Sequence, residues 1–167
     1  MNEHRAPFEP TLWHLPAGSN TVLKQVWFPG VHGSVGGGET DHDLSSIALY
    51  WMIQQVRGNH LGLTFDKKYL DTSEYMAVQQ KKPWGCADYV DTYTGIFKLA
   101  GSEERTPNHY RTPTQGPTNE SIHECVSARV NFNMGKPNPW SYPDITGMMS
   151  YPLGQWEKEL IERYPSQ

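Results

Sequence analysis

The sequence predicts an α/β or α+β fold with few strands, several short helices and long loops. Three observations carry this expectation. Residues 22–29, Val-Leu-Lys-Gln-Val-Trp-Phe-Pro, are rich in β-branched and aromatic types and read as a strand. A glycine-rich loop follows, and then an amphipathic stretch over residues 43–57 with helical spacing. Fifteen glycines and thirteen prolines among 167 residues require long ordered loops between these elements.

Taken in order, residues 1–20 are polar and Pro-rich and form an arm, with Trp13 and Leu15 as its expected anchors. After the strand at 22–29, residues 30–40 form the glycine loop. Asp41 or Asp43 supplies the side-chain oxygen that caps the next helix. Over 43–57, Leu44, Ile47, Ala48, Trp51, Met52 and Val56 approximate one face, and Gly58-Asn59 stops the helix. Leu61, Leu63 and Phe65 alternate, as in a short strand or extended segment. Asp66 to Gln80 fits one or two short helices, with Ser73 as a cap and Pro83 to Gly85 as the break. Tyr89 to Leu99 is compatible with a helix, although Gly95 weakens it. Residues 101–119 read as a long loop. Glu120 to Phe132 fits a helix or a strand, because Val126, Val130 and Phe132 suit either period. Residues 133–154 are rich in Pro and Gly, and Gln155 to Tyr164 reads as a C-terminal helix.

The length fits one domain over residues 1–167, which would bury roughly 70% of its unfolded surface. Aliphatic content is thin at 37% apolar residues overall, but six Trp, nine Tyr and five Phe each bury a large area. A net charge of −4 gives no basic patch for nucleic acid. Lys67-Lys68 and Lys81-Lys82 are isolated pairs that read as solvated surface. No apolar run approaches the roughly 20 residues of a membrane span, and no signal peptide opens the chain. Cys86 and Cys125 form neither a metal-binding nor a disulfide pattern. The expectation is a reduced, cytoplasmic setting, with no cofactor and no metal.

His32 is the first candidate for chemistry. It stands between the strand end and four glycines within the six residues 33–38. Open α/β sheets place their sites at such strand ends, and an imidazole there exchanges protons near neutral pH. The alternative is a ring that only bonds the loop backbone. Gly36-Gly37-Gly38 before a helix suggests an anion cradle. However, the phosphate-loop pattern is absent, and Glu39, Asp41 and Asp43 would repel a phosphate. Ser34 in His32-Gly33-Ser34-Val35-Gly36 falls short of a nucleophile elbow because histidine replaces the first glycine. Cys86 reads better as a small buried apolar residue than as a nucleophile. Glu39, Asp41 and Asp43 with His42 are better explained by helix capping than by a metal. Glu120 and His123, three apart, would share a face in a helix as an acid–base pair or as a structural hydrogen bond.

Four ordered blocks of the chain resemble a known family. Asn2-Glu3-His4-Arg5-Ala6-Pro7-Phe8-Glu9-Pro10-Thr11-Leu12-Trp13 is similar to a Leu-Asp-Glu-x-Arg-x-x-Phe-x-Pro-x-Leu-Trp segment. Residues 25–38 are similar to Gln-Val-Trp-Phe-x-Gly-x-His-x-Asp-Val-Gly-Gly-Gly. Leu44 to Met52 looks like Leu-Ser-Asp-Ile-Ala-Leu-x-Trp-Met. Thr118-Asn119-Glu120-Ser121-Ile122-His123, with Val126 and Arg129, resembles Glu-x-Ile-His-x-Ser-Val-x-x-Arg. The family is the α/β-hydrolase-type domain family of unknown function that includes type VI secretion phospholipase effectors and many fungal proteins. The chain resembles its C-terminal part. By this resemblance His32 would be the base of a Ser-Asp-His triad.

The departures shape the reading. The 167 residues contain no Gly-x-Ser-x-Gly elbow, and Asn2, Ser34 and Ser46 stand where the family has Asp. The resemblance therefore implies a reduced remnant of an α/β-hydrolase domain, not an autonomous serine hydrolase. With one recognisable strand, the fragment is expected to repack, to pair with itself as a homodimer or larger, or to pair with another chain.

Three functional readings follow. In the leading one, the chain is a small acid–base enzyme without a serine nucleophile. His32 acts as general acid or base, with Glu3, His4, Asp41, Glu120 and His123 as candidate partners. Trp13, Trp27, Ser34, Trp51, Trp84 and Trp140 line a pocket for a small apolar substrate. Isomerisation, cyclisation or dehydration suits this equipment, and resemblance to a family abundant in fungi implies, as an expectation, a role in secondary-metabolite biosynthesis. The second reading is half of a split serine hydrolase, esterase- or phospholipase-like, completed by a partner chain. The third is a non-catalytic binding or scaffold module.

Overall fold

A computed structural model describes residues 2–59, 61–70, 72, 83–108, 118–133 and 147–163. Strand β1 (Gln25–Trp27) leads into the short helix α1 (His32–Gly36) and the long helix α2 (Asp43–Gly58). Strand β2 (Glu120–His123) passes directly into helix α3 (Glu124–Asn133). Strand β3 (Ser150–Tyr151) is followed by helix α4 (Gln155–Arg163). Short 3-10 helices lie at Ala6–Phe8 and Gly95–Ala100.

The strands form one parallel sheet in the order β1-β2-β3, with Val26 opposite Ser121 and Ile122 opposite Ser150. This is the mixed α/β class that the sequence predicts. The sheet has three strands: β1 lies within the run expected at 22–29, β2 within the stretch that fitted a helix or a strand, and β3, two residues long, within residues read only as rich in Pro and Gly. Parallel strands need crossovers, so all three carboxyl ends face one edge, and each runs into the start of a helix. The two readings of Glu120 to Phe132 both hold, one after the other.

The main core joins Phe28 and Val31 after β1, Leu44, Ile47 and Trp51 of α2, Ala87, Tyr89, and Cys125 of α3. A second cluster holds Tyr50, Ile53 and Leu70, with Trp84 packed against it. Helix α2 therefore buries two stripes. This is why Tyr50 and Ile53 are inside while Met52, expected on the apolar face, is exposed. Asp41, not Asp43, accepts the first free amide of α2: its Oδ1 takes the Asp43 N–H at 3.0 Å.

The N-terminal arm is anchored by its first residues and by the Trp13 main chain, whose N–H donates to Gln25 Oε1 at 2.8 Å and whose carbonyl accepts Gln25 Nε2–H at 3.0 Å, while the Trp13 side chain is 74% exposed. Asn2 donates its N–H to the Gly30 carbonyl at 2.9 Å, and its Oδ1 accepts the Gly30 N–H at 2.8 Å. Gly30 has φ +107, and a Cβ there would lie 2.6 Å from Ser34 Cβ, so only glycine fits this turn. Arg5 forms an antiparallel bridge with Ser102, which ties the arm to a distant loop.

Several segments differ from expectation. Residues 61–65 form no strand, and Leu61 and Leu63 are exposed, with no strand among the described residues to cover them. Residues 89–94 are irregular, and the turn that follows is a 3-10 helix opened by Gly95 at φ +57. Residues 67–70 and 72 are helical, whereas the proposed cap Ser73 and most of the stretch to Gln80 lie outside the described residues, as does Trp140. Among the described residues, no helix is long and apolar enough to cross a membrane.

Candidate active site at the end of the first strand

His32 is the first residue of α1, five residues past Trp27, where β1 ends. Its ring is exposed and stands 4.9 Å from the Phe8 ring, tilted by 58°. Among the described residues, neither ring nitrogen has a hydrogen-bond partner. Its main chain, by contrast, is fixed: the His32 N–H donates to Glu3 Oε2 at 3.1 Å.

Glu3 is the hub of the corner. Its Oε1 accepts the Arg5 N–H and Nε–H, both at 2.9 Å, and its Oε2 accepts Arg5 Nη2–H at 2.8 Å. Burial alone would raise its pKa. The Arg5 side chain and main chain, the His32 N–H and the Arg5 charge together outweigh it and lower the carboxyl to about 2. The arm is extended here, so residues two apart point the same way, which is how Glu3 and Arg5 meet. Arg5 in turn lies over the Phe8 ring at 3.9 Å and the Phe97 ring at 4.7 Å.

A carboxylate held at about 2 against an ordinary 4.5 stabilises the fold above pH 4.5. That contribution is lost as pH falls through the folded value. We expect thermal melts of the wild type to lose stability between about pH 4.5 and 2 with a component that Glu3→Gln lacks. Parallel acid limbs in the two proteins would contradict this role for Glu3.

His32, Glu3, Phe8, Trp27 and Arg105 line a cavity of about 310 Å³. A larger trough of about 750 Å³ runs alongside, between β1, the Gly36–Gly38 turn and one side of α2. The two share Val26, Phe28, Val35 and Gly36, so they form neighbouring parts of one depression. Its walls are mainly apolar, with Trp51 and Met52 on the α2 side and His42, Ser45 and Tyr69 at the rim.

The other candidates separate into two groups. Trp27 and Trp51 line the depression, and Trp27 also donates Nε1–H to Glu120 Oε1 at 3.0 Å. Glu120 also accepts the Asn108 N–H at Oε1 and the Thr118 hydroxyl at Oε2. Ser34 is buried: its Oγ accepts the Val31 N–H and donates to Glu39 Oε1, so it closes the turn of α1. His4 gives its carbonyl to the Glu103 N–H, and Asp41 caps α2. Trp84 stacks on Tyr50 inside the core, and Trp13 is at the surface. Neither wall of the depression includes Trp13, Trp84, His4 or Asp41 among its described residues.

His123 belongs to a different constellation. A strand alternates its side chains, so Glu120 and His123 lie on opposite faces of β2 and are not a pair. His123 stacks on Phe28 with ring centroids 4.9 Å apart. Its Nδ1 lies 3.0 Å from Cys125 Sγ and accepts the Cys125 N–H at 3.4 Å. With donors converging on Nδ1, the ring hydrogen sits on Nε2, 3.3 Å from Glu157 Oε1 but off the line of a full hydrogen bond. The order thiol, imidazole, carboxylate is that of a nucleophile, base and acid. Yet His123 and Glu157 are 0% exposed and Cys125 is 1% exposed. Gly85 seals the thiol, since a Cβ there would lie 2.7 Å from Cys125 Cβ. Burial first, then the nearby Glu157, Cys86 and Asp43, pushes the thiol pKa well up, with only Arg129 opposing. A protonated, sealed thiol is not a nucleophile. The group stabilises the junction of β2, α3 and α4. Among the described residues, no three His, Cys, Asp or Glu side chains gather as metal ligands.

The sequence reading missed Arg5, Arg105, Cys125 and Glu157 as parts of these sites. Arg5 was discoverable from its i, i+2 spacing to Glu3 in an extended arm. Arg105 and Glu157 have no local signal, because each meets its neighbours only through long-range packing.

Residues 1–55, about a third of the chain, match the family model for the T6SS phospholipase effector Tle1-like catalytic domain. The match takes in the arm, β1, α1 and most of α2, and so includes Glu3, His32 and the glycine turn. The fourth block, at residues 118–129, lies beyond it. No curated protein matches the chain, and no solved structure does.

Proposed function

We propose that the chain supplies the acid–base histidine of an ester-hydrolysing site, with His32 as general base to a nucleophile outside the described residues. One observation carries the reading. The exposed imidazole stands at a sheet's carboxyl edge, its main chain is locked to an ionised buried carboxylate, and it borders a mainly apolar depression. The family match over the same corner supports ester chemistry. The free, buried thiols of Cys86 and Cys125 support a reducing compartment.

A second reading, a non-hydrolytic acid–base enzyme of isomerase, cyclase or dehydratase type, is favoured by the local chemistry. Ser34 Oγ is spent within α1, and both cysteines are buried, so no described hydroxyl or thiol meets the His32 ring. One experiment separates the two. The protein is purified natively with whatever accompanies it and treated with a fluorophosphonate, which labels activated serines. The hydrolase reading expects one labelled serine in a Gly-x-Ser-x-Gly context, with ester hydrolysis that the label abolishes. Turnover of a substrate with no labelled serine would overturn it in favour of the second reading.

A further inference from the structure

Among the described residues, the cavity at His32 holds a positive charge with no counter-charge. Arg105 lines it and is 3% exposed. Its Nη1–H donates to the Glu103 carbonyl at 3.2 Å and its Nη2–H to the Arg5 carbonyl at 2.9 Å. Among the described residues, no carboxylate pairs with it. A guanidinium carries five N–H donors, and two backbone carbonyls leave part of that fork unanswered. Burying a cation without a counter-charge is costly unless something else supplies the anion.

The other charges at the cavity cancel. Glu3 and Arg5 form a closed pair, and the remaining reach of Glu3 is taken by the His32 N–H. The Glu103 carboxylate belongs to an exposed residue. Among the described residues, the net charge facing the cavity is thus that of Arg105. Phe8, Trp27 and Phe28 supply apolar walls around it.

We infer that this cavity binds a small ligand with an apolar body and an oxyanion group, carboxylate or phosphate, seated on Arg105 beside His32. The planar fork of arginine matches both oxyanions through paired N–H···O bonds, which gives orientation as well as affinity. Such an anchor would fix which bond of the ligand meets the His32 ring. This deepens the reading of His32 as the reactive base, but it concerns binding and is tested without turnover.

The test uses three six-carbon probes: hexanoate, hexyl phosphate and neutral hexanol. The readout is the rate at which diethylpyrocarbonate modifies His32, followed by peptide mass spectrometry on the full-length protein. At least one anion is expected to slow modification of His32 about tenfold at saturation, with hexanol changing it less than twofold. Comparison of the two anions tells carboxylate from phosphate. Arg105→Lys keeps the charge but loses the fork, and is expected to weaken protection about tenfold. Protection by hexanol equal to that by the anions would overturn the inference, as would unchanged anion protection in a folded Arg105→Gln protein. If Arg105→Gln fails to fold because its backbone bonds are lost, the probe series on the wild type still decides. Absence of anion protection leaves ester hydrolysis unaffected as a reading, and a failed fluorophosphonate experiment leaves this site standing.

Discussion

His32→Ala is expected to lower kcat/KM for ester hydrolysis by about 10²–10⁴, the range that a positioned general base contributes. The same substitution should move Tm by no more than about 2 °C. The ring is exposed and makes no hydrogen bond among the described residues, so only its contact with Phe8 is lost. The main-chain link from His32 to Glu3 survives in the variant, because it uses the backbone N–H. The α1 turn should therefore keep its shape with a ring-sized gap at the cavity wall. That geometry allows a sharper check: free imidazole added to His32→Ala should restore part of the activity, whereas it should do nothing for a variant that has lost its fold. Hydrolysis at the wild-type rate in His32→Ala would remove His32 from the chemistry. A fall in activity accompanied by an equal fall in Tm would assign the residue to structure instead.

How much of this was legible in the sequence depends on distance along the chain. The strand at 25–27 and the helix at Asp43–Gly58 were legible because each depends on a local pattern, apolar β-branched residues in one case and helical spacing in the other. His32 at the strand end was legible for the same reason. The glycine run did conceal something: residues 32–36 wind into a helical turn, with Ser34 Oγ supporting its start and Asn2 holding the preceding Gly30. No local propensity announces a turn whose stabilising contact comes from the other end of a 28-residue interval. The same limit applies to β2 and β3. β2 was legible only as one of two alternatives and β3, two residues long, gives too little period to read; both are strands because β1 and each other supply their partners. Arg105 shows the limit most clearly. It sits in a stretch that reads as loop, and its burial follows from the bridge between Arg5 and Ser102 that folds that loop onto the arm. His123 was read with Glu120 on the condition that the stretch is helical there, with a strand left as the alternative. The true period of two sends them to opposite faces, and His123 meets Cys125 and Glu157 instead.

That last group carries the largest expected effect on stability. Glu157→Leu should cost about 2–4 kcal/mol, a fall in Tm of roughly 10 °C for a chain of this size. Glu157 and His123 are wholly out of water, and removing the carboxylate leaves Nε2–H facing an apolar side chain with no solvent to answer it. Glu157 also accepts the N–H of Gly154, the residue just before α4, at 3.1 Å, so the helix loses support at its start as well. His123→Leu alone should be destabilising for the converse reason, since the carboxylate then loses its imidazole and Cys125 loses its acceptor. The double variant is the discriminating one. If the pair acts as a unit, Glu157→Leu with His123→Leu should cost less than the sum of the single changes by about 0.5–3 kcal/mol, because neither polar group is then stranded. Urea denaturation of the four proteins measures this directly. Strict additivity would mean that the two residues stabilise the junction of β2 and α4 independently. A stable, folded Glu157→Leu protein that had lost ester hydrolysis would move the sealed triad from the core into the catalytic machinery.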